Sequence, residues 1–246
     1  MKYRKLNEVL IEWNESSKQD SDNVFLKSED IEESLKYFVY RLDKKGRIKI
    51  FNGITPPAVG WPEFEKYKNK VRINGKYVEL YDEGWTYDEF EPGEYRVYIK
   101  DIDKITNTDF IFCECNQLVS VFIPKSVTSI GYQAFSGCSG LTSVRIPSSV
   151  TTIDYKAFES CYKLMSVTIP NSVTSIGPGA FYGCSGLTSV NIPGSVTEIG
   201  DMAFYGCKKL KTIYIEDINK FNQIEVEDPQ FADPRCYGAK LVELKK

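Results

Sequence analysis

From Leu118 onward, apolar residues return at fixed places along the chain. The segments beginning at Leu118, Leu141, Leu164 and Leu187 read LVSVFIPKSVTSIGYQAFSGCSG, LTSVRIPSSVTTIDYKAFESCYK, LMSVTIPNSVTSIGPGAFYGCSG and LTSVNIPGSVTEIGDMAFYGCKK. Each has 23 residues, with no insertion between them, and a fifth unit starts at Leu210 (LKTIYI) before leaving the pattern. Within a unit, Leu141, Val144 and Ile146 spell L-x-x-V-x-I, a strand whose alternation turns Val144 and Ile146 to one side. Pro147 follows directly; lacking an N–H and fixing its own φ, it ends the strand. Val150 and Ile153 supply a second inward pair, Ala157 and Phe158 place a small residue beside a large ring, and Cys161 closes the unit. One such turn cannot bury its apolar edge, whereas stacked turns give every column a neighbour. Residues 118–215 are therefore expected to form a right-handed stack of coils. Charge supports the boundary, because these 98 residues hold only 11 of the 65 charged side chains.

The unit resembles the BspA-like class of leucine-rich repeats, whose repeat reads L-T-S-V-x-I-P-x-S-V-T-S-I-G-x-x-A-F-x-G-C-S-x. Leu187–Lys209 follows that pattern almost letter for letter. With worn ends included, the resemblance covers roughly residues 95–246. Val97, Ile99, Ile102, Ile105, Phe112 and Cys115 read as a degenerate first coil, and Leu241-Val242-Glu243-Leu244 as a final strand. Both ends read as caps, which solenoids need to hide their outermost apolar faces. The resemblance implies a leucine-rich-repeat solenoid that binds proteins or host surfaces, since members are typically adhesins or surface antigens.

Five of the seven cysteines, Cys115, Cys138, Cys161, Cys184 and Cys207, stand at equivalent places. In a stack they form a column of parallel side chains, as Phe135, Phe158, Phe181 and Phe204 do. A free Cys packs as a small hydrophobe, so the column is expected to be reduced and inert. Cys113-Glu114-Cys115 lacks the second pair that a metal site of this type requires, and no metal or cofactor is expected.

Residues 1–94 read as a separate small α+β domain of two helices followed by short strands. Tyr3, Leu6, Leu10 and Trp13 recur at helical spacing, as do Ile31, Leu35, Phe38, Val39 and Leu42. Ser28 suits the start of the second helix and Lys44-Lys45-Gly46 its end. Arg47–Phe51 alternates like a strand. Val71–Ile73, Asn74-Gly75 and Tyr77–Leu80 predict a hairpin. Glu91–Ile99 predicts another strand and is weakly similar to the last strand of PKD-like sandwiches.

Composition narrows the function further. There is no histidine in the 246 residues, which removes Ser-His-Asp and Cys-His catalysis and the commonest zinc ligand. The net charge of -3 and the lack of a basic run argue against nucleic acid. No apolar stretch is long enough to span a bilayer. The first 18 residues are charged throughout and do not read as a signal peptide. The chain is thus expected to be intracellular, carried on another particle, or a trimmed mature form. Tyr81, Trp85, Tyr87 and Phe90 lie among Asp82, Glu83, Asp88 and Glu89, a mixture that can bind sugars or, with two well-placed acids, hydrolyse them. Rings packing a small sheet explain the same pattern.

Comparing the repeats shows which positions packing dictates. Between the inward Val and Ile of each strand sit Phe122, Arg145, Thr168, Asn191 and Tyr214, a column that changes in every unit. Beside it run the small Ser120, Ser143, Ser166, Ser189 and Thr212. A third column holds Val119, Thr142, Met165, Thr188 and Lys211. The first column is the candidate binding surface for a protein or surface glycan, although unconstrained exposure explains its variety equally well. Three readings remain open: a non-enzymatic adhesion module, a virion or surface-assembly component docked by its N-terminal region, and a carbohydrate-active enzyme built on residues 81–90.

Overall fold

The computed structural model describes residues 2–6, 9–13, 37–50, 71–74, 76–78, 86, 89–99, 108–226 and 238–244. The chain divides into two compact units, Met1–Leu35 and Lys36–Lys246. In the first, strands β1 (Lys2–Leu6) and β2 (Val9–Trp13) pair antiparallel, from Lys2 opposite Trp13 to Leu6 opposite Val9. A helix was expected here from Tyr3, Leu6, Leu10 and Trp13. The run Val9-Leu10-Ile11 also satisfies a strand, and its two β-branched residues favour one.

The second unit opens on β3 (Tyr37–Leu42), which replaces the second expected helix. Phe38, Tyr40 and Leu42 are buried at a period of two; reading Phe38, Val39 and Leu42 as a helical stripe passes over Tyr40. The Tyr40 hydroxyl satisfies itself by donating to the Ile50 carbonyl at 2.9 Å. Ile31, Leu35 and Ser28 lie outside the described residues. The expected strand at 47–51 is absent among the described residues 47–50. Ile48, Lys49 and Ile50 are all buried; the Ile48 carbonyl accepts from the Thr86 N–H, and the Ile48 N–H donates to the Thr86 Oγ1. The hairpin forms as β4 (Val71–Ile73) and β5 (Lys76–Val78), with Asn74 in the left-handed region. Strand β6 (Gly93–Ile99) spans the expected boundary at 94/95.

These strands form one sheet with the first coils, in the order β5-β4-β6-β3-β7-β9, where β7 is Leu118–Phe122 and β9 is Ser143–Arg145. Strand β3 lies antiparallel between β6 and β7, so it covers the edge that a preceding coil would otherwise occupy. Val97 and Ile99 therefore belong to an antiparallel cap and not to a worn first coil. Phe112 and Cys115 do take their coil positions, both buried. The Phe38 ring meets that of Phe112, centroids 5.2 Å apart, and so caps the phenylalanine column.

Beyond this cap the chain is a β-solenoid of parallel coils. The long strands continue with β11 (Ser166–Thr168), β13 (Ser189–Ile192), β15 (Thr212–Ile215) and β17 (Lys240–Glu243). A second ladder joins the dipeptide strands β8 (Ser129–Ile130), β10 (Thr152–Ile153), β12 (Ser175–Ile176), β14 (Glu198–Ile199) and β16 (Glu225–Val226), all parallel. In both ladders, residues one repeat apart are paired, as Val167 with Val190 and Ile153 with Ile176. Turn segments make a third ladder. The N–H groups of Gln133, Phe135 and Gly137 donate to the carbonyls of Tyr155, Ala157 and Glu159 in the next coil, at 3.0, 2.8 and 2.8 Å. Gln133 and Gly137 both have positive φ, as do Lys156 and Ser160 one coil later. The turn thus repeats two left-handed residues per coil, held by bonds between coils.

Inside, the apolar columns fill the stack. Val150, Ile153, Ala157, Phe158, Cys161 and Leu164 are fully buried, and Val144 is half-buried against the core. The C-terminal coil departs from the repeat by inserting helix α1 (Ile218–Phe221), whose N-cap Asp217 accepts from the Asn219 and Lys220 N–H groups. It regains register at β17, the strand expected at 241–244, which pairs Leu241 with Ile213.

Candidate functional site

The candidate column lies on the outward face of the long strands because Val and Ile on either side of it turn inward. Pairing carries each member onto the next within a sheet. Phe122 stands opposite Arg145, and Thr168, Asn191, Tyr214 and Val242 follow one another. The column is divided, however, because β9 and β11 belong to different sheets. Arg145 and Thr168 are exposed, and Tyr214 is 36% exposed. Phe122 is half-buried and lines a narrow cavity with Phe38, Ile111, Phe112 and Pro124, so it belongs partly to the packing of the cap. Asn191 is also half-buried; its Nδ2 donates to the Ile169 carbonyl at 3.5 Å, while its Oδ1 has no hydrogen-bond partner among the described residues.

Two outward side chains join this face that comparison of the strand column alone misses. Met165, 59% exposed, comes from the neighbouring column. Val242, 39% exposed, extends the column past the last recognisable repeat. The Leu-Val-Glu-Leu strand was legible, but its alignment to Tyr214 depends on the length of the irregular coil before it. Hydroxyls floor the face and tie coils together, as where Thr142 and Thr188 donate to the Val119 and Met165 carbonyls at 3.2 and 3.0 Å.

The cysteine column supplies no reactive centre. Cys115, Cys138, Cys161, Cys184 and Cys207 are buried and unpaired as disulfides. Each of the last four donates its thiol to the carbonyl of the phenylalanine in the preceding coil, for example Cys161 Sγ to Phe135 O at 3.3 Å and Cys184 Sγ to Phe158 O at 3.1 Å. Burial pushes the thiols of Cys115, Cys138, Cys161 and Cys207 up, which keeps them protonated. Half-buried Cys113 is raised to about 11, first by burial and then by the Glu114 carboxylate. A thiolate is the nucleophile and the metal ligand, so these environments suit packing. Among the described residues no group of three or more Cys, Asp or Glu side chains could hold a metal ion. Of residues 81–90, only Thr86, Glu89 and Phe90 are described. Phe90 packs edge-on against Tyr95, centroids 5.1 Å apart. No helix among the described residues is long and apolar enough to cross a membrane.

Among solved structures, the chain is similar to a leucine-rich-repeat protein of T. pallidum, at 35% identity and a TM-score of 0.44, over 45% of this chain and 51% of that one. It is similar to a leucine-rich-repeat protein of Bacteroides ovatus at 35% identity and 0.41, over 49% of this chain and 33% of the other. A leucine-rich cell surface protein of Faecalibacterium prausnitzii shares 28% identity at 0.48, over 62% of this chain and 41% of its own. The chain thus spans about half the length of the first of these proteins and less of the others. No curated protein sequence matches it. The model of the BspA type leucine rich repeat region matches residues 105–227 in six copies. Those residues hold the coils whose Phe, Cys and Val columns are described above, and the chain belongs to the BspA-type leucine-rich-repeat family.

Proposed function

We propose that the chain is a non-catalytic binding module that presents the outward face of its long strands to a protein partner on a cell or host surface. The observation that carries this reading is the exposure of Met165, Tyr214 and Val242, with Arg145 on the adjoining sheet, on a backbone tied by ladders between coils. Tyr and Arg are among the residues that supply most hot-spot energy at interfaces, and the apolar Met165 and Val242 add area that excludes water around them. Here they are held in place before binding, which lowers the ordering cost. Thr168 and Asn191 contribute less, because small polar groups gain little when they exchange water for a partner. Phe122 contributes at the margin, since part of its ring is already packed.

The test is a set of single alanine substitutions at Arg145, Met165, Tyr214 and Val242, assayed for binding to host-cell surfaces with thermal stability measured in parallel. Reduced binding at unchanged stability supports the face. If all four bind as wild type while deletion of residues 1–35 abolishes binding, the repeats are a spacer. The chain then reads as an assembly component docked by its N-terminal unit.

A further inference from the structure

A cleft of about 590 Å³ opens beside the first three coils, at the segments that lead into their long strands. One wall is the end of β3 and the turn after it, residues 41–47, which carries Arg41, Lys44, Lys45 and Arg47. The floor and opposite wall are the dipeptides that link each cysteine to the next strand: Asn116-Gln117, Ser139-Gly140 and Tyr162-Lys163. Gln117 fixes the two walls relative to each other. Its Oε1 accepts from the Lys49 N–H at 3.0 Å, its Nε2 donates to the Arg47 carbonyl at 3.0 Å, and its own carbonyl accepts from the Arg41 N–H at 2.9 Å.

The recess exists because the middle dipeptide is small. A Cβ at Gly140 would sit 2.4 Å from the Asn116 carbonyl oxygen, so that position admits no side chain. Ser139 occupies the place that a tyrosine fills one coil later, at Tyr162. The floor is therefore low between two taller rungs.

Charge in the cleft runs against that of the chain. Five cationic side chains line it and Asp43 is its one acid, in a chain of net charge -3. Arg41 is paired with Glu94, and Lys45 with Glu91 at 3.2 Å. Lys44 and Lys163, one on each wall, make no ion pair among the described residues. Tyr162 adds a half-exposed ring, and Asn116 and Ser139 add hydrogen-bonding groups.

We propose that this cleft binds an anionic saccharide, a sugar unit bearing a carboxylate or sulfate, with Lys44 and Lys163 facing the anion and Tyr162 facing the ring. The volume lies in the range of small-molecule sites. Much of the lining surface is apolar, as the Tyr162 ring and the lysine stems supply, which suits the carbon face of a sugar ring while the charged heads meet its anionic group. Two cations on opposite walls, unpaired among the described residues, attract an anion in the cleft, and that attraction weakens as salt screens it.

The experiment is calorimetric titration of the full chain with a sulfated disaccharide, a uronate disaccharide and an uncharged disaccharide, at low and physiological salt. Binding of either charged sugar, with none of the neutral one, is expected. The double variant Lys44→Glu/Lys163→Glu should weaken it about tenfold or more, as loss of charged hydrogen bonds does. Ser139→Tyr, which copies the residue one coil later, should block the recess without altering the fold. Lys208→Glu/Lys209→Glu, at the same dipeptide of a distant coil, should leave binding unchanged. Equal binding of the neutral sugar, equal loss in the distant variant, retained binding in Ser139→Tyr, competition by inorganic sulfate at the same concentration as the sugar, or no binding at all each overturns the proposal. None of these outcomes bears on the strand face, so the two readings fail separately.

Discussion

Phe135 and Phe158, one repeat apart, stack with ring centroids 5.2 Å apart and planes 4° from parallel. Phe158 stacks equally on Phe181 at 5.4 Å, so its ring is enclosed by rings on both faces. Phe158→Ala is expected to destabilise the chain by about 3–5 kcal/mol, the usual cost of a buried aromatic truncation. The change should appear in the urea midpoint. Phe204, with a ring neighbour on one side only among the described contacts, should cost less. A midpoint unchanged by Phe158→Ala would contradict the ring column.

The cysteine column should resist native thiol reagents. In a Cys236→Ser background, Cys115, Cys138, Cys161, Cys184 and Cys207 are expected to react only after denaturant is added, and half-buried Cys113 first among the six. Rapid labelling of all six in native protein would show that the coils are open.

Stability should fall under alkaline conditions. Below the free thiol pKa of about 8.5 both folded and unfolded chains keep their thiols protonated, so these groups add no pH dependence. Above it the unfolded chain releases protons that the folded chain retains, because burial raises Cys115, Cys138 and Cys161. Each fully buried thiol then removes up to about 1.4 kcal/mol per pH unit. Cys113 adds the same slope over a shorter range, which ends at about 11, where its folded form ionises too. Urea unfolding at pH 8 and pH 10 measures this, and Cys161→Ala should show a shallower decline than wild type. Equal stability at both pH values would mean that the thiols are solvated.

Two glycines of one coil should behave differently. Gly137 has φ +73°, and its equivalent Ser160 tolerates φ 58°, so Gly137→Ala should cost about 1 kcal/mol, the order of left-handed strain. At Gly140 the obstacle is the Asn116 carbonyl at 2.4 Å. Gly140→Ala must push two coils apart, and about 1–3 kcal/mol or more is expected, as for overpacking. Thermal melts of the two variants decide it; equal losses would remove the distinction between strain and contact.

The repeat period, read from sequence, determined the coils. A column such as Phe135, Phe158 and Phe181 is legible because each coil makes the same contacts as its neighbour, so one spacing states many long-range pairings at once. The cysteines followed from the same rule, whereas the last strand at Leu241 lies off the period, 28 residues after its partner Ile213. The sequence could not state what happens where repetition stops. Phe38, Tyr40 and Leu42 form a strand because the edge of β7 offers unpaired backbone groups, and an apolar run that fits either period takes the structure that satisfies them. The strand column named the outward face but not its division between β9 and β11. The basic cleft was invisible, since Lys44 and Lys163 come to line one recess only when Gln117 bonds to Arg47 and Lys49 and so joins distant segments. Tertiary structure decided these features because each depends on contacts made once, and a contact made once leaves no period to read.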